Sequence, residues 1–174
     1  SASEPAPPRR HHSVTGGGII SLQHGAFVGI RTDKIAGGTA KSALKGTTMS
    51  ETNKANTVAF HKKAVFEGDV ETAFRTYGGS PYRQHNPLIE DGREGLRKFV
   101  AWMRANRPHA HGEIKRVFAD GDYVILHSLW HGLTDSPRGE AVVDIYRLED
   151  GKLVEHWDVI QPIPETAANK NTMF

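Results

Sequence analysis

The chain predicts an α+β fold, with helices in its first half and a meander of long strands in its second. Three observations carry this expectation. Apolar residues recur at helical spacing in two stretches, Asn53 to Glu67 and the segment after Asp91. Apolar and polar residues then alternate over several long runs from His111 onward. Asp-Gly pairs at Asp120-Gly121 and Asp150-Gly151 sit where those runs must reverse.

In chain order, residues 1–52 form an N-terminal arm rich in Gly, Ser, Thr and Lys, with no clear periodicity beyond a short apolar patch from Ile19 to Ile30. Residues 53–164 form one domain, and 165–174 a C-terminal tail. Ala55, Val58, Ala59, Lys62, Val65 and Phe66 place apolar atoms mostly along one side of the first helix, which Gly68 ends. Asp69 caps a second, short helix through about Tyr77. Tyr82 to His85 makes a brief strand stopped by Asn86-Pro87. Leu96, Phe99, Val100 and Met103 form the stripe of a third helix that begins at Asp91 or Gly92 and ends near Arg107-Pro108. The strands are His111 to Ala119, Asp122 to Gly132, and the hairpin Val142 to Gln161. A strongly bent sheet against one side of the helices would enclose a pocket.

Composition removes several function classes. With 174 residues and 37% hydrophobic content, one domain plus a tail is the simplest account. The absence of cysteine excludes disulfides, thiolate catalysis and cysteine-based metal sites. No apolar run reaches the roughly 18 residues of a membrane span. The formal charge is +2, with the excess in the first third at residues such as Arg9, Arg10, Lys41 and Lys62. Those charges are scattered and lack aromatic interleaving, which argues against a nucleic-acid partner. The compartment is left open: a chain starting at Ser1 fits a cytoplasmic protein or one exported after loss of a targeting segment.

The hairpin carries Asp144, His156 and Asp158 within apolar alternation, where charges need a partner or a purpose. Its turn decides whether they share a face. A three-residue Glu149-Asp150-Gly151 loop sets Asp144 opposite His156, and places Val142, Asp144, Tyr146, Val154, His156, Asp158 and Ile160 together. Val143, Ile145, Arg147, Glu155, Trp157 and Val159 take the other face. A two-residue Asp150-Gly151 turn would set Asp144 opposite Trp157 and split the cluster. The three-residue loop is preferred because Glu-Asp-Gly supplies the residue types it needs. The plainer alternative is an ordinary cross-strand Asp144–His156 pair on a solvated face.

Other histidines are weaker candidates. His85, at the end of its short strand, either aims an imidazole into a pocket or caps local backbone. His127 shares parity with Tyr123, Ile125 and Leu129, against Val124, Leu126, Ser128 and Trp130, and either face could look inward. His61 lies on the first helix, at a cavity rim or on the surface. The ten histidines show no His-Glu-x-x-His helix, and His127 and His131 lie about 13 Å apart along a strand. Only a three-dimensional His85, His156 and Asp158 set remains as a metal candidate, and no metal or cofactor is assigned. No serine sits in a glycine-flanked elbow, and no glycine-rich phosphate loop is present.

The segments EGDVETAF, YRQHNP, DGREGLRKFV, RVFADGDYVILHS and DIYRLEDGKLVEHWDVIQPIP resemble the SnoaL-like branch of the nuclear-transport-factor-like superfamily, over roughly Lys54 to Pro164. The resemblance implies a cone in which a curved, mixed or antiparallel sheet wraps around the N-terminal helices and encloses a pocket. It also implies a homodimer through the outer sheet face, acid–base side chains without a cofactor, and polyketide-cyclase-like aldol chemistry. By the same resemblance Asp144 falls at the protonated acid of the ketosteroid isomerase oxyanion hole, and His61 near its tyrosine. Asn86 falls where the isomerase base would stand and cannot serve as one, so steroid isomerisation does not follow. Asp158 matches the cyclase acid–base aspartate, with His85 or His156 beside it.

The expected function is therefore acid–base catalysis on a small hydrophobic or carbonyl-containing ligand. Catalytic candidates are Asp144, Asp158, His85 and His156, and ligand-contacting candidates are His61, Tyr82, His127, Tyr146 and Trp130. A non-catalytic binding or dimerisation domain, and a hydrolase or dehydratase using the same pocket, are the alternatives.

Overall fold

In a computed structural model, the chain is described over residues 39–174, with side chains from Met49 onward. The elements are α1 (Thr39–His61), a π-helical turn (Lys62–Phe66), α2 (Val70–Tyr77), β1 (Gly78–Gln84), α3 (Gly92–Asn106), β2 (His111–Asp120), β3 (Tyr123–His131), β4 (Glu140–Glu149) and β5 (Lys152–Pro162). The α+β fold is as the sequence predicts, with helices preceding one five-stranded sheet. The strand order is β1-β5-β4-β3-β2, antiparallel except where β1 runs parallel to β5. The arm expected over residues 1–52 lies outside the described residues up to position 38, and from Thr39 the backbone is already helical. That extension runs through Ala40, Ala43 and Leu44 and meets no proline.

The caps are where the sequence puts them. Asp69 accepts a hydrogen bond from Thr72 N at 3.0 Å, and Asp91 accepts from Gly92 N at 2.9 Å and from Gln84 N at 2.8 Å. Gly68 ends the first helical segment at φ +81°, a left-handed conformation that favours glycine.

The buried stripe of α1 differs from the expected one. Asn53, Thr57, Phe60, His61 and Ala64 face inward, so its first two positions are polar. Asn53 Nδ2 donates to the Gly121 carbonyl at 3.2 Å, and Asn56 Nδ2 to the Gly151 carbonyl at 2.9 Å. These bonds pin α1 across both hairpin tips, which a stripe of aliphatics could not do.

The β4–β5 turn is the two-residue form, not the three-residue loop. Glu149 pairs with Lys152, and both Asp150 (φ 48°) and Gly151 (φ 75°) are left-handed, as a type I′ turn requires. Alone, this turn would split the acidic cluster. However, the register shifts between Arg147 and Leu148: Leu148 pairs with Leu153 but Arg147 with Glu155, leaving Val154 as the extra residue of a bulge. Asp144 therefore stands opposite Asp158, and Tyr146 opposite His156. The bulge restores the shared face by a route the sequence reading did not contain.

Inward residues of β3 are Val124, Leu126, Ser128 and Trp130, all buried. With Phe60, Phe74, Tyr82 and Tyr146 they form the core between helices and sheet. Phe60 meets Phe74 edge-on at 5.1 Å, and Phe74 meets Tyr82 at 4.9 Å, contacts that fix how the helices sit on the strands. Among the described residues no helix is long and apolar enough to cross a membrane.

Candidate functional site

The core leaves an interior cavity of about 40 Å³ at the polar end of the sheet's inner face. Asp144, Tyr146, His156 and Asp158 reach it from β4 and β5, Tyr82 from β1, His61 from α1 and Trp130 from β3. Phe99 and Met103 of α3 cover it from the helical side. Seven of the nine expected site residues thus converge on one space.

The other two do not. His85 follows Gln84 with the opposite parity, so its ring lies on the outer face, stacked on Trp157 at 4.7 Å and bonded through Nε2 to Glu155 Oε1 at 2.8 Å. Glu155 also accepts from Arg147 Nε at 2.7 Å. His127 is on the outer face of β3, with Nδ1 2.9 Å from Arg116 Nη1 and its ring stacked on Phe174. Strand alternation separates both from the cavity, and the His85, His156 and Asp158 grouping goes with them.

Two further residues support the site: Gln84, which the sequence does not single out, and Asn86, expected only as a residue that cannot replace the isomerase base. Gln84 and Asn86 continue the inward parity of Tyr82, and both are buried. Gln84 Oε1 accepts from Asn86 N at 2.9 Å and lies 3.0 Å from His156 Nδ1. Asn86 Nδ2 lies 2.9 and 2.8 Å from the two Asp158 carboxylate oxygens. The alternation Tyr82, Gln84, Asn86 is the signal that could have found them.

His156 is held between two acceptors: Gln84 Oε1 at Nδ1 and Asp144 Oδ1, 3.1 Å from Nε2. Both contacts fix the orientation of the ring, with Nε2 directed at the Asp144 carboxylate and Nδ1 at the Gln84 amide oxygen. Burial acts to raise the Asp144 pKa, but attraction to His61 and His156 and the His156 hydrogen bond outweigh it and hold it below the ordinary value. Burial itself lowers the His61 pKa, with the Asp144 charge opposing that shift. Asp144 is thus an ionised acceptor here, not the protonated donor that the isomerase resemblance implies.

Asp158 behaves oppositely. It is only part-buried, yet desolvation raises its carboxyl above the usual range, aided by the Asp144 charge and opposed by the Asn86 hydrogen bond and His156. The site therefore holds two carboxylates pushed apart in basicity, a pattern that separates acid–base roles. His61 Nδ1 lies 2.8 Å from Tyr146 Oη, while His61 Nε2 and Asp144 Oδ2 have no partner among the described residues. With the tyrosine donating to Nδ1, Nε2–H is free to donate toward a ligand. Ligand atoms of Asp144, His156 and Asp158 lie within 4.8 Å of one another, a spacing a cation would accept. Both His156 nitrogens are committed to Gln84 and Asp144, however, so the set reads as a proton network.

Comparison with known proteins agrees with this architecture. No curated protein matches the chain. Among solved structures, TsrD from Streptomyces laurentii is 22% identical, with 62% of this chain and 89% of that one covered at a TM-score of 0.50. A provisionally assigned polyketide cyclase from Acidithiobacillus ferrooxidans is 24% identical, covering 63% and 87% at 0.52. Bal32a from a soil-derived mobile gene cassette is 13% identical, covering 64% and 91% at 0.55. At these identities the likeness concerns the fold. The SnoaL-like domain family matches residues 58–156, which run from the helix bearing His61 to the strand bearing His156. Across more than half its length, and with the helices-then-sheet order such a pocket needs, the chain belongs to the SnoaL-like domain family.

Proposed function

We propose that this protein is an acid–base enzyme that abstracts a proton α to the carbonyl of a small compound and then closes a carbon–carbon bond by aldol addition. The observation that carries the reading is Asp158, a carboxylate of raised pKa held by Asn86 at the edge of a cavity that also presents His61 Nε2. Asp158 takes the α proton, and the C–H electron pair moves into the carbonyl to give an enolate. His61 Nε2–H donates to the developing oxyanion in the cavity. The enolate carbon attacks a second carbonyl, and Asp158 returns its proton to the new alkoxide. A base with a raised pKa transfers protons more effectively near neutrality, an effect worth about 10²–10⁴-fold.

The second reading, a non-catalytic ligand-binding or dimerisation domain, is favoured by one observation. The interior space of about 40 Å³ holds only about three waters. Substrate entry therefore requires movement of Phe99, Met103 or Trp130. The two readings separate in an exchange assay: α-proton exchange of a soluble carbonyl probe into D₂O, followed by NMR. The enzyme reading expects wild-type exchange well above buffer, and its loss in folded Asp144→Asn and Asp158→Asn proteins. Full exchange in both variants sinks it. As a partner we propose a second copy of the chain on the outer sheet face, where Phe118, Ile125 and Val159 are exposed.

A further inference from the structure

A second, larger cleft of about 310 Å³ lies between the end of α3 and the start of β2. Val65, Met103 and Trp130 line both this cleft and the inner cavity, so they form the wall between the two. Trp130 is the aromatic member of the wall. Phe66 meets Trp130 at 5.3 Å, and His61, on the cavity side, meets Phe66 edge-on at 5.0 Å. Gly112 on β2 makes room for it: a Cβ there would come within 2.6 Å of Trp130 Cε2 and 2.8 Å of Phe66 Cε1.

The charge of the cleft is one-sided. Among the described residues its lining includes Arg104, Arg107 and His111 and no carboxylate. Arg107 is occupied by Asp135 at 2.6 Å. Arg104 is exposed and has no hydrogen bond or ion pair with any described residue. Its side chain passes over Gly68, and a guanidinium unpaired among the described residues, in a cleft that Phe66 and Trp130 also line, suits a planar ligand bearing a carboxylate or phosphate.

We infer that this cleft is the outer half of the ligand site: it binds an anionic substituent of the carbonyl compound at Arg104, while the carbonyl end passes the Trp130–Met103 wall toward His61 and Asp158. This rests on the acid–base reading for the inner cavity, and adds a substrate class, carbonyl compounds carrying an anionic group. It also accounts for an inner cavity too small to contain a whole substrate, because most of the ligand lies in the cleft.

The test compares acetophenone with its para-carboxylate, para-acetylbenzoate, by calorimetric titration. Wild-type protein should bind the carboxylate about tenfold or more tightly, with the preference shrinking as salt rises. Arg104→Gln should abolish the preference and leave acetophenone affinity unchanged, whereas Arg107→Gln should reduce it less, since Asp135 already holds that residue. Equal affinities in the wild type, no binding of the carboxylate, or an intact preference in Arg104→Gln overturns the inference. Failure of the acid–base reading looks different: Asp158→Asn would keep its α-proton exchange while the carboxylate preference stayed intact.

Discussion

Asp144 and Asp158 stand directly opposite each other across β4 and β5. Two like charges at such a position destabilise a sheet unless something separates their titrations. Here His156 supplies the separation by bonding Asp144, and Asn86 holds the Asp158 carboxylate. One carboxyl is drawn below its usual pKa and the other pushed above it. The bulge at Val154 makes this possible, because without it the two-residue turn would carry Asp158 and His156 to the outer face.

Removing the lower-pKa partner should be costly. In Asp144→Asn, the buried His156 loses its carboxylate, and breaking such a pair costs roughly 3–5 kcal/mol. Denaturant unfolding at neutral pH should show that loss, and the α-exchange rate should fall on the order of a hundredfold. Unchanged stability would mean that the Asp144–His156 contact does not hold the fold together.

The acid limb of stability should depend on His61. Its pKa is lowered from 6.5 by burial, so the unfolded chain takes up the proton first. Stability is therefore full above 6.5 and is lost as pH falls through the lower, folded value. His61→Gln should flatten that slope in urea titrations run at successive pH values. An identical slope in the variant would place the acid sensitivity elsewhere.

Gly112→Ala should destabilise the wall between cleft and cavity. The new methyl would meet Trp130 at 2.6 Å and force the ring off its rotamer, at about 1–3 kcal/mol. Thermal unfolding measures the cost. A fully native melting temperature would show that Trp130 and Phe66 yield freely.

The outer face provides a separate test. Val159 is 65% exposed and Ile125 36%, and both lie on the sheet surface with Trp157. Sedimentation should find a dimer that Val159→Lys and Ile125→Lys convert to monomer without unfolding. A wild-type monomer would refute the proposed self-association.

The helix caps and the antiparallel succession from β2 to β5 were legible because Asp69, Asp91 and the Asp-Gly turns act locally, whereas the parallel pairing of β1 with β5 was not. The inner face of the hairpin was legible in its members but not in its mechanism. The expected loop and the observed turn plus bulge differ by two residues in register, which preserves side-chain parity. His127 was ambiguous because both faces of β3 are apolar, and only packing on α1 selects the Val124–Trp130 side. The inward side of α1 was misread because Asn53 and Thr57 are buried, and the Asn53 bond to the Gly121 carbonyl lies 68 residues away in sequence. His85 was decidable in principle, since Tyr82 marks the inward parity of β1 and His85 has the other.

The role proposed for Asp158 is that of a base tuned by its surroundings. Titration of the Asp158 carboxyl carbon by NMR, with assignment from Asp158→Asn, tests it most directly. A midpoint clearly above the ordinary 3.8, falling in Asp144→Asn as the neighbouring charge is removed, is the predicted result. A midpoint at or below 3.8 would contradict it.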